Sequence, residues 1–159
     1  MTERQHVVYV PAEGIDSALA SFIADVVELS GLFRRIADAI ARQEGQTQAR
    51  WYALSVFSED PLTVSQAARR LGTTRQAVQR SADELLARGL AIVEANPDHR
   101  TSPFIRLTPE GHEVLARISR TAMTSRRRWL PGLDAAELEV AHAVVRRLRD
   151  ALREHAASG

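Results

Sequence analysis

Apolar side chains recur at Ile15, Leu19, Phe22, Val26, Leu29, Phe33, Ile36 and Ile40, in alternating steps of four and three. This is a heptad seam of nearly four repeats, widened by Ile23, Val27 and Ala37, and it predicts one long helix over about 15–43. At 1.5 Å per residue such a helix is roughly 40 Å long. That is more than a small domain covers, so part of its apolar stripe needs another partner. Residues 1–14 before it read as a flexible arm, in which Val7-Val8-Tyr9-Val10 is the stretch able to order before Pro11 ends it. After it, Thr47 to Ser58 reads as a short helix carrying Trp51, Leu54 and Phe57, stopped ahead of Asp60-Pro61.

Residues 62–80, LTVSQAARRLGTTRQAVQR, change the pattern to two short helices with barely enough chain to turn between them. Thr63 with Gln66 has the form of a capping box, and Thr73 with Gln76 has the same form. Gly72 suits the left-handed residue that ends a helix. The bracketed turn is a helix-turn-helix candidate, although an αα-hairpin in a helical core would carry the same caps. In the second helix Val78, Ala82 and Leu85 repeat at helical spacing toward a core, with Leu86 beside them. Arg75, Gln76, Gln79 and Arg80 crowd the opposite face near its start. Arginine and glutamine bond guanine and adenine edges in a major groove, and the hydroxyls of Thr73 and Thr74 can reach phosphates. A merely solvated face more often mixes Glu and Lys; here the first acid is Asp83, at the distal end. Arg88-Gly89 ends the helix, with Leu90 placed for the apolar contact of a Schellman-type cap.

Residues 90–108 supply two β-prone runs joined by a polar turn. Ile105 and Leu107 alternate with Arg106, as a half-buried strand requires, and Pro103 restricts that strand to a sheet edge. A hairpin directly after a recognition-type helix is the wing of a winged helix. Thr108-Pro109 opens a further helix, with Thr as N-cap and Pro in first position. It runs through Val114, Leu115, Ile118 and Ala122 to Arg126-Arg127-Arg128, and Pro131-Gly132 breaks it. A last helix from about Asp134 carries Leu138, Ala141, Val145, Leu148 and Leu152, again stepping three and four. The expected fold is mainly α with a small β-hairpin wing. A winged helix-turn-helix over 47–108 is flanked by a helical dimerisation region over 15–46 and 109–156.

Composition narrows the function only modestly. The 159 residues are 45% apolar and 26% charged, the balance of a globular domain. No apolar run approaches a membrane span and the first residues lack signal-peptide order, so a cytoplasmic protein without membrane contact is expected. With no cysteine there is no disulfide, zinc ribbon or thiol switch. The net charge of +1 argues against indiscriminate coating of nucleic acid. Between Thr63 and Thr108, however, seven arginines face four acids, a local excess of three. All 21 basic residues are Arg, a bias that a G+C-rich coding sequence would itself produce.

The order of elements, with NPDHR followed by RLTPEG at the wing, resembles the MarR family of bacterial transcriptional regulators. The resemblance covers roughly residues 15–155. It is most specific at Asp98-His99-Arg100 followed by Leu107-Thr108 and Gly111, which is similar to the family's D-x-R…L-T-x-x-G signature. TRQAVQR followed by LLARGL resembles its recognition helix and helix end. Two departures stand out. The gap between Arg100 and Leu107 is one residue longer than the common form, and Ala91-Ile92-Val93 lacks the basic residue common soon after the recognition helix. The resemblance implies a homodimeric repressor that needs no cofactor, paired through its terminal helices on a palindromic double-stranded DNA operator. It also implies release by a small aromatic or phenolic effector, in a cleft between the first, second and fifth helices near Phe33, Trp51 and Tyr52, although a core role fits Trp51 better than ligand contact. Thr73, Thr74, Arg75, Gln76, Gln79 and Arg80 are the expected DNA contacts on the helix, and His99 and Arg100 those at the wing. Asp98 is expected to shape the wing turn through an Asx-type bond or a salt bridge.

Two other function classes compete. Gly111-His112-Glu113 starts like a zinc-protease H-E-x-x-H, but position 116 is Ala and the site cannot close. The five histidines show no pairing at i, i+3 or i+4, and no phosphate loop, dinucleotide fingerprint or G-x-S-x-G occurs, so an enzyme is not expected. A helical adaptor that uses its heptads to bind another protein without reading DNA remains the alternative. Arg126–Arg128 fit either phosphate contact or a solvated helix end.

Overall fold

The computed structural model describes residues 14–129, 132 and 134–158. The expected arm ahead of Gly14, Pro131 of the expected break, and the side chains of Arg127 and Arg128 lie outside the described residues. Six helices and two strands follow in the order α1 (Ile15–Gln43), α2 (Gln48–Val56), α3 (Val64–Leu71), α4 (Arg75–Ala87), β1 (Ala91–Glu94), β2 (Phe104–Leu107), α5 (Pro109–Trp129) and α6 (Ala135–Ser158). The chain is mainly helical with a two-stranded antiparallel wing. It divides into two compact units, with the boundary inside α5 after Arg120.

In the first unit the core gathers from five helices and the wing. Leu54, Phe57, Leu85 and Ile118 are its largest fully buried side chains. Each contributes about 1.5–3 kcal/mol by leaving water. The heptad of α1 enters this core only near its end, at Ala37, Ile40 and Ala41. Earlier seam positions stay exposed in the single chain, including Leu19, Val26, Leu29 and Phe33. Gly45, at φ 67°, then reverses the chain, and the Gln46 N–H closes back on the Ala41 carbonyl at 2.9 Å. Thr47 caps α2 by accepting the Arg50 N–H at 3.3 Å.

The capping box at Thr63 is formed: Thr63 Oγ1 accepts the Gln66 N–H, and Gln66 Oε1 accepts the Thr63 N–H at 2.8 Å. The second expected box is not. The N-cap of α4 is Thr74, whose hydroxyl accepts the Ala77 N–H at 3.2 Å, one residue after the expected Thr73. The Thr73 N–H is already used by the Ala68 carbonyl at 3.1 Å, which closes the end of α3 over Gly72 in the left-handed conformation. Thr73 therefore ends one helix and Thr74 starts the next. The close of α4 is as the sequence predicts, with Gly89 at φ 70° and the Leu90 N–H on the Leu85 carbonyl at 2.9 Å.

In the wing Ala91 pairs with Leu107 and Glu94 with Phe104, so Ile105 and Leu107 turn inward while Arg106 faces out. The far side of β2 is not bare beyond Pro103: Leu62 and Ile105 exchange N–H to carbonyl bonds of 3.2 and 2.8 Å. Thr108 and Gly111 join the wing to α5. Thr108 Oγ1 donates to the Gly89 carbonyl at 2.8 Å and accepts the Gly111 N–H at 3.1 Å. A Cβ on Gly111 would overlap the Leu90 carbonyl oxygen, with its carbon 3.1 Å away. This glycine is required by close backbone approach.

In the second unit α6 opens with a reciprocal box. Glu137 N–H donates to Asp134 Oδ1 at 2.8 Å and Asp134 N–H to Glu137 Oε2 at 3.1 Å. Leu138, Val145 and Leu152 of its seam, and Val140 and Val144 beside it, are exposed.

Candidate nucleic-acid interface

Helix α4 is anchored on one side and open on the other. Val78, Ser81, Ala82 and Leu85 are buried, whereas Arg75, Gln76, Gln79 and Arg80 are exposed. Those four share a shallow concavity with Asp83, Glu84 and Ala87. Thr73 and Thr74 stand exposed ahead of them, and the Thr74 hydroxyl is engaged as the cap. Gln79 Nε2 donates to Asp83 Oδ1 at 2.8 Å, which orients the amide. The acid at the distal end of this face thus has a partner on the face itself.

The wing adds a second wall. A groove of about 260 Å³ is lined by Arg75, Gln79 and Asp83 of α4 and by Val93, Thr101, Ser102 and Pro103 of the wing. His99 and Arg100 sit exposed in the connection between the strands. The turn is shaped by Asn96, which sequence reasoning missed. Its side chain is buried, with Nδ2 donating to the Ser102 carbonyl at 2.8 Å and Oδ1 accepting the Asp98 N–H at 3.1 Å. Asp98 enters through its backbone amide, and among the described residues its carboxylate takes no hydrogen bond or ion pair. Among the described residues neither the Asx-type bond nor the salt bridge expected of the Asp98 side chain forms; the Asx bond of this turn is made by Asn96, two positions earlier.

Arginines divide by partner. Arg42, Arg50, Arg106, Arg117 and Arg149 are ion-paired, to Asp38, Glu84, Glu94, Glu44 and Asp150. Among the described residues Arg75, Arg80, Arg88 and Arg100 make no such pair. A guanidinium left unpaired on a helix face or a wing is available to phosphate oxygens and base edges. Arg126 is exposed near the end of α5.

A separate cleft of about 680 Å³ lies between α1, α2, α3 and α4. Phe33, Arg34, Tyr52 and the α3–α4 turn at Leu71, Gly72 and Thr73 line it. Two of the three aromatic residues expected at a ligand cleft, Phe33 and Tyr52, are brought together here. Trp51 is not among the lining residues; it is half-buried, its ring 6.2 Å from that of Tyr52. The lining comes from the first four helices, without the expected fifth. No group of three or more His, Asp or Glu placed to hold a metal occurs among the described residues, and no described helix is long and apolar enough to cross a membrane.

Residues 44–100 match the sequence model of the MarR family. An uncharacterized protein of Mycobacterium tuberculosis is 49% identical over 135 residues, 85% of this chain and 94% of its own length. The crystal structure of a MarR family transcriptional regulator from Streptomyces coelicolor superposes with a TM-score of 0.71 at 28% identity, covering 89% of this chain and 98% of that one. Staphylococcus aureus MarR, solved in complex with salicylate and kanamycin, shares the fold at a TM-score of 0.74 and 14% identity, covering 91% of this chain and 99% of that one. With its winged helix, its L-T-x-x-G junction and these relatives, the chain belongs to the MarR family of transcription regulators.

Proposed function

We propose that this protein binds a palindromic double-stranded DNA operator as a homodimer, represses from it, and is released by a small aromatic anion. The observation that carries the reading is the face of α4. Arg75, Gln76, Gln79 and Arg80 are exposed side by side while the reverse face is locked into the core. Base readout in a major groove requires such a helix, held rigidly and rich in forked or amide side chains. The wing supports it by presenting His99 and Arg100 on a turn held by Asn96. Dimerisation is supported by the exposed seam of α1 and, separately, by that of α6, since apolar stripes of this length are costly in water. Two-fold symmetry would then set the half-sites roughly 34–36 Å apart.

Release by ligand is supported by the cleft at Phe33 and Tyr52. Its wall includes the turn that starts α4, and Arg34 supplies a cation at its rim. The salicylate bound to S. aureus MarR is of the chemistry such a cleft takes. Titration of Trp51 fluorescence with aromatic acids, repeated in the presence of operator, tests this part. By linkage, ligand and DNA must weaken each other by the same factor.

Selection from a randomised duplex library, followed by binding at several salt concentrations, tests the whole. A recovered palindrome with steeply salt-dependent affinity is the expected result. A protein that selects no sequence and ignores salt would instead be a helical adaptor.

A further inference from the structure

Arg50 stands apart from the other ion-paired arginines. Its side chain is 12% exposed, against 44–75% for Arg42, Arg106, Arg117 and Arg149. Three of its N–H groups are committed. Nε donates to Gln46 Oε1 at 2.8 Å, Nη2 to the Gly45 carbonyl at 3.3 Å, and Nη1 to Glu84 Oε2 at 2.7 Å. The first two acceptors belong to the turn that ends α1. That turn is held by the left-handed Gly45, the bond from Gln46 N–H to Ala41, and the burial of Gln46, so its acceptors do not swing independently of α1. The third acceptor lies 34 residues further on, in the recognition helix.

Glu84 follows Gln76 and Arg80 at steps of four, in one row on α4. The apolar contacts of Val78, Ala82 and Leu85 hold α4 on its buried face, on the side away from Gln76 and Arg80. A guanidinium fork fixes direction as well as distance. We infer that Arg50 is a positioning residue for DNA reading. It ties the end of α1 to the recognition helix, so that Gln76 and Arg80 keep their aim relative to the helix through which the subunits pair. This rests on the DNA-binding function proposed above.

The test uses full-length protein and the ratio of affinity for the selected operator over a scrambled duplex at fixed salt. Helix content and dimer mass are measured on every variant. Arg50→Met and Glu84→Leu each lower the ratio by roughly tenfold, and the double variant lowers it no further than the worse single, as a coupled pair must. Glu84→Gln retains an acceptor and stays within about twofold of wild type. Arg50→Lys keeps the charge, loses the fork, and lowers the ratio. A merely structural arginine would weaken both duplexes alike and leave the ratio unmoved. Folded Arg50→Met and Glu84→Leu proteins with an unchanged ratio overturn the inference. So does recovery of the ratio when Glu84→Leu is added to Arg50→Met, because Arg50 would then only mask a repelling charge. Should Arg50→Met not fold, Arg50→Lys and Glu84→Leu are decided by the same ratio. A wild-type protein with no operator preference rejects the DNA-binding function itself, and this inference with it.

Discussion

Replacing Gly111 by alanine sets two effects of opposite sign against each other. Gly111 lies in the first turn of α5, where alanine would favour the helix by about 1 kcal/mol. Against that, the added Cβ overlaps the Leu90 carbonyl oxygen and lies 3.1 Å from its carbon and 3.4 Å from Leu107 Cβ. Neither backbone atom can rotate away. The start of α5 and the end of α4 must separate, which stretches the bonds from the Thr108 N–H to Leu90 at 3.1 Å and from Thr108 Oγ1 to Gly89 at 2.8 Å. Overpacking costs about 1–3 kcal/mol, and each weakened bond about 0.5–1.5 kcal/mol. The clash wins, and Gly111→Ala is destabilised by about 2 kcal/mol net. Urea unfolding followed by far-ultraviolet circular dichroism measures this as a lower midpoint at constant slope. A variant as stable as wild type would refute the close-approach account of the signature glycine.

Other consequences are of the same kind. Leu85→Ala, at a fully buried position on the inner face of α4, should cost about 2–5 kcal/mol in the same melts. Asn96→Ala leaves the Ser102 carbonyl and the Asp98 N–H without their partner, which costs about 1–3 kcal/mol locally. Limited proteolysis should then cut first between β1 and β2, and operator affinity should fall as it does for Arg100→Ala. Leu148→Asp places a charge in the α6 seam; sedimentation should show loss of the dimer, and an unchanged dimer mass would remove α6 from the interface.

Much of this fold was legible because its signals are local. The steps of α1 gave its full span, and Thr63 with Gln66, Gly72, Gly89 and Thr108 each act in the structure as their type and position suggest. What could not be read depends on which partner is already taken. Thr73 and Thr74 are both fit to cap a helix; the choice follows from the Thr73 N–H being bound to Ala68. Asn96 and Asp98 are both of a type that forms Asx turns, and Asn96 does so because it is the buried one. Trp51 and Tyr52 are consecutive on a helix, so they point about 100° apart, and Tyr52 is the one that lines the cleft. Arg50 gave no signal at all, since its partner Glu84 is distant in sequence and meets it only once α2 packs on α4.

We propose that α4 reads bases while the wing grips the flanking backbone and minor groove. Arg80→Ala and Arg100→Ala, measured against a randomised operator library at two salt concentrations, test it most directly. Arg80→Ala should change the preferred bases within the half-site, at roughly 1–3 kcal/mol for each well-made pairing with a base edge. Arg100→Ala should weaken binding to most sequences alike, with a shallower salt slope and less preference for A·T-rich flanks. The opposite pattern, in which Arg100→Ala rewrites the half-site and Arg80→Ala leaves it intact, would overturn this division between helix and wing.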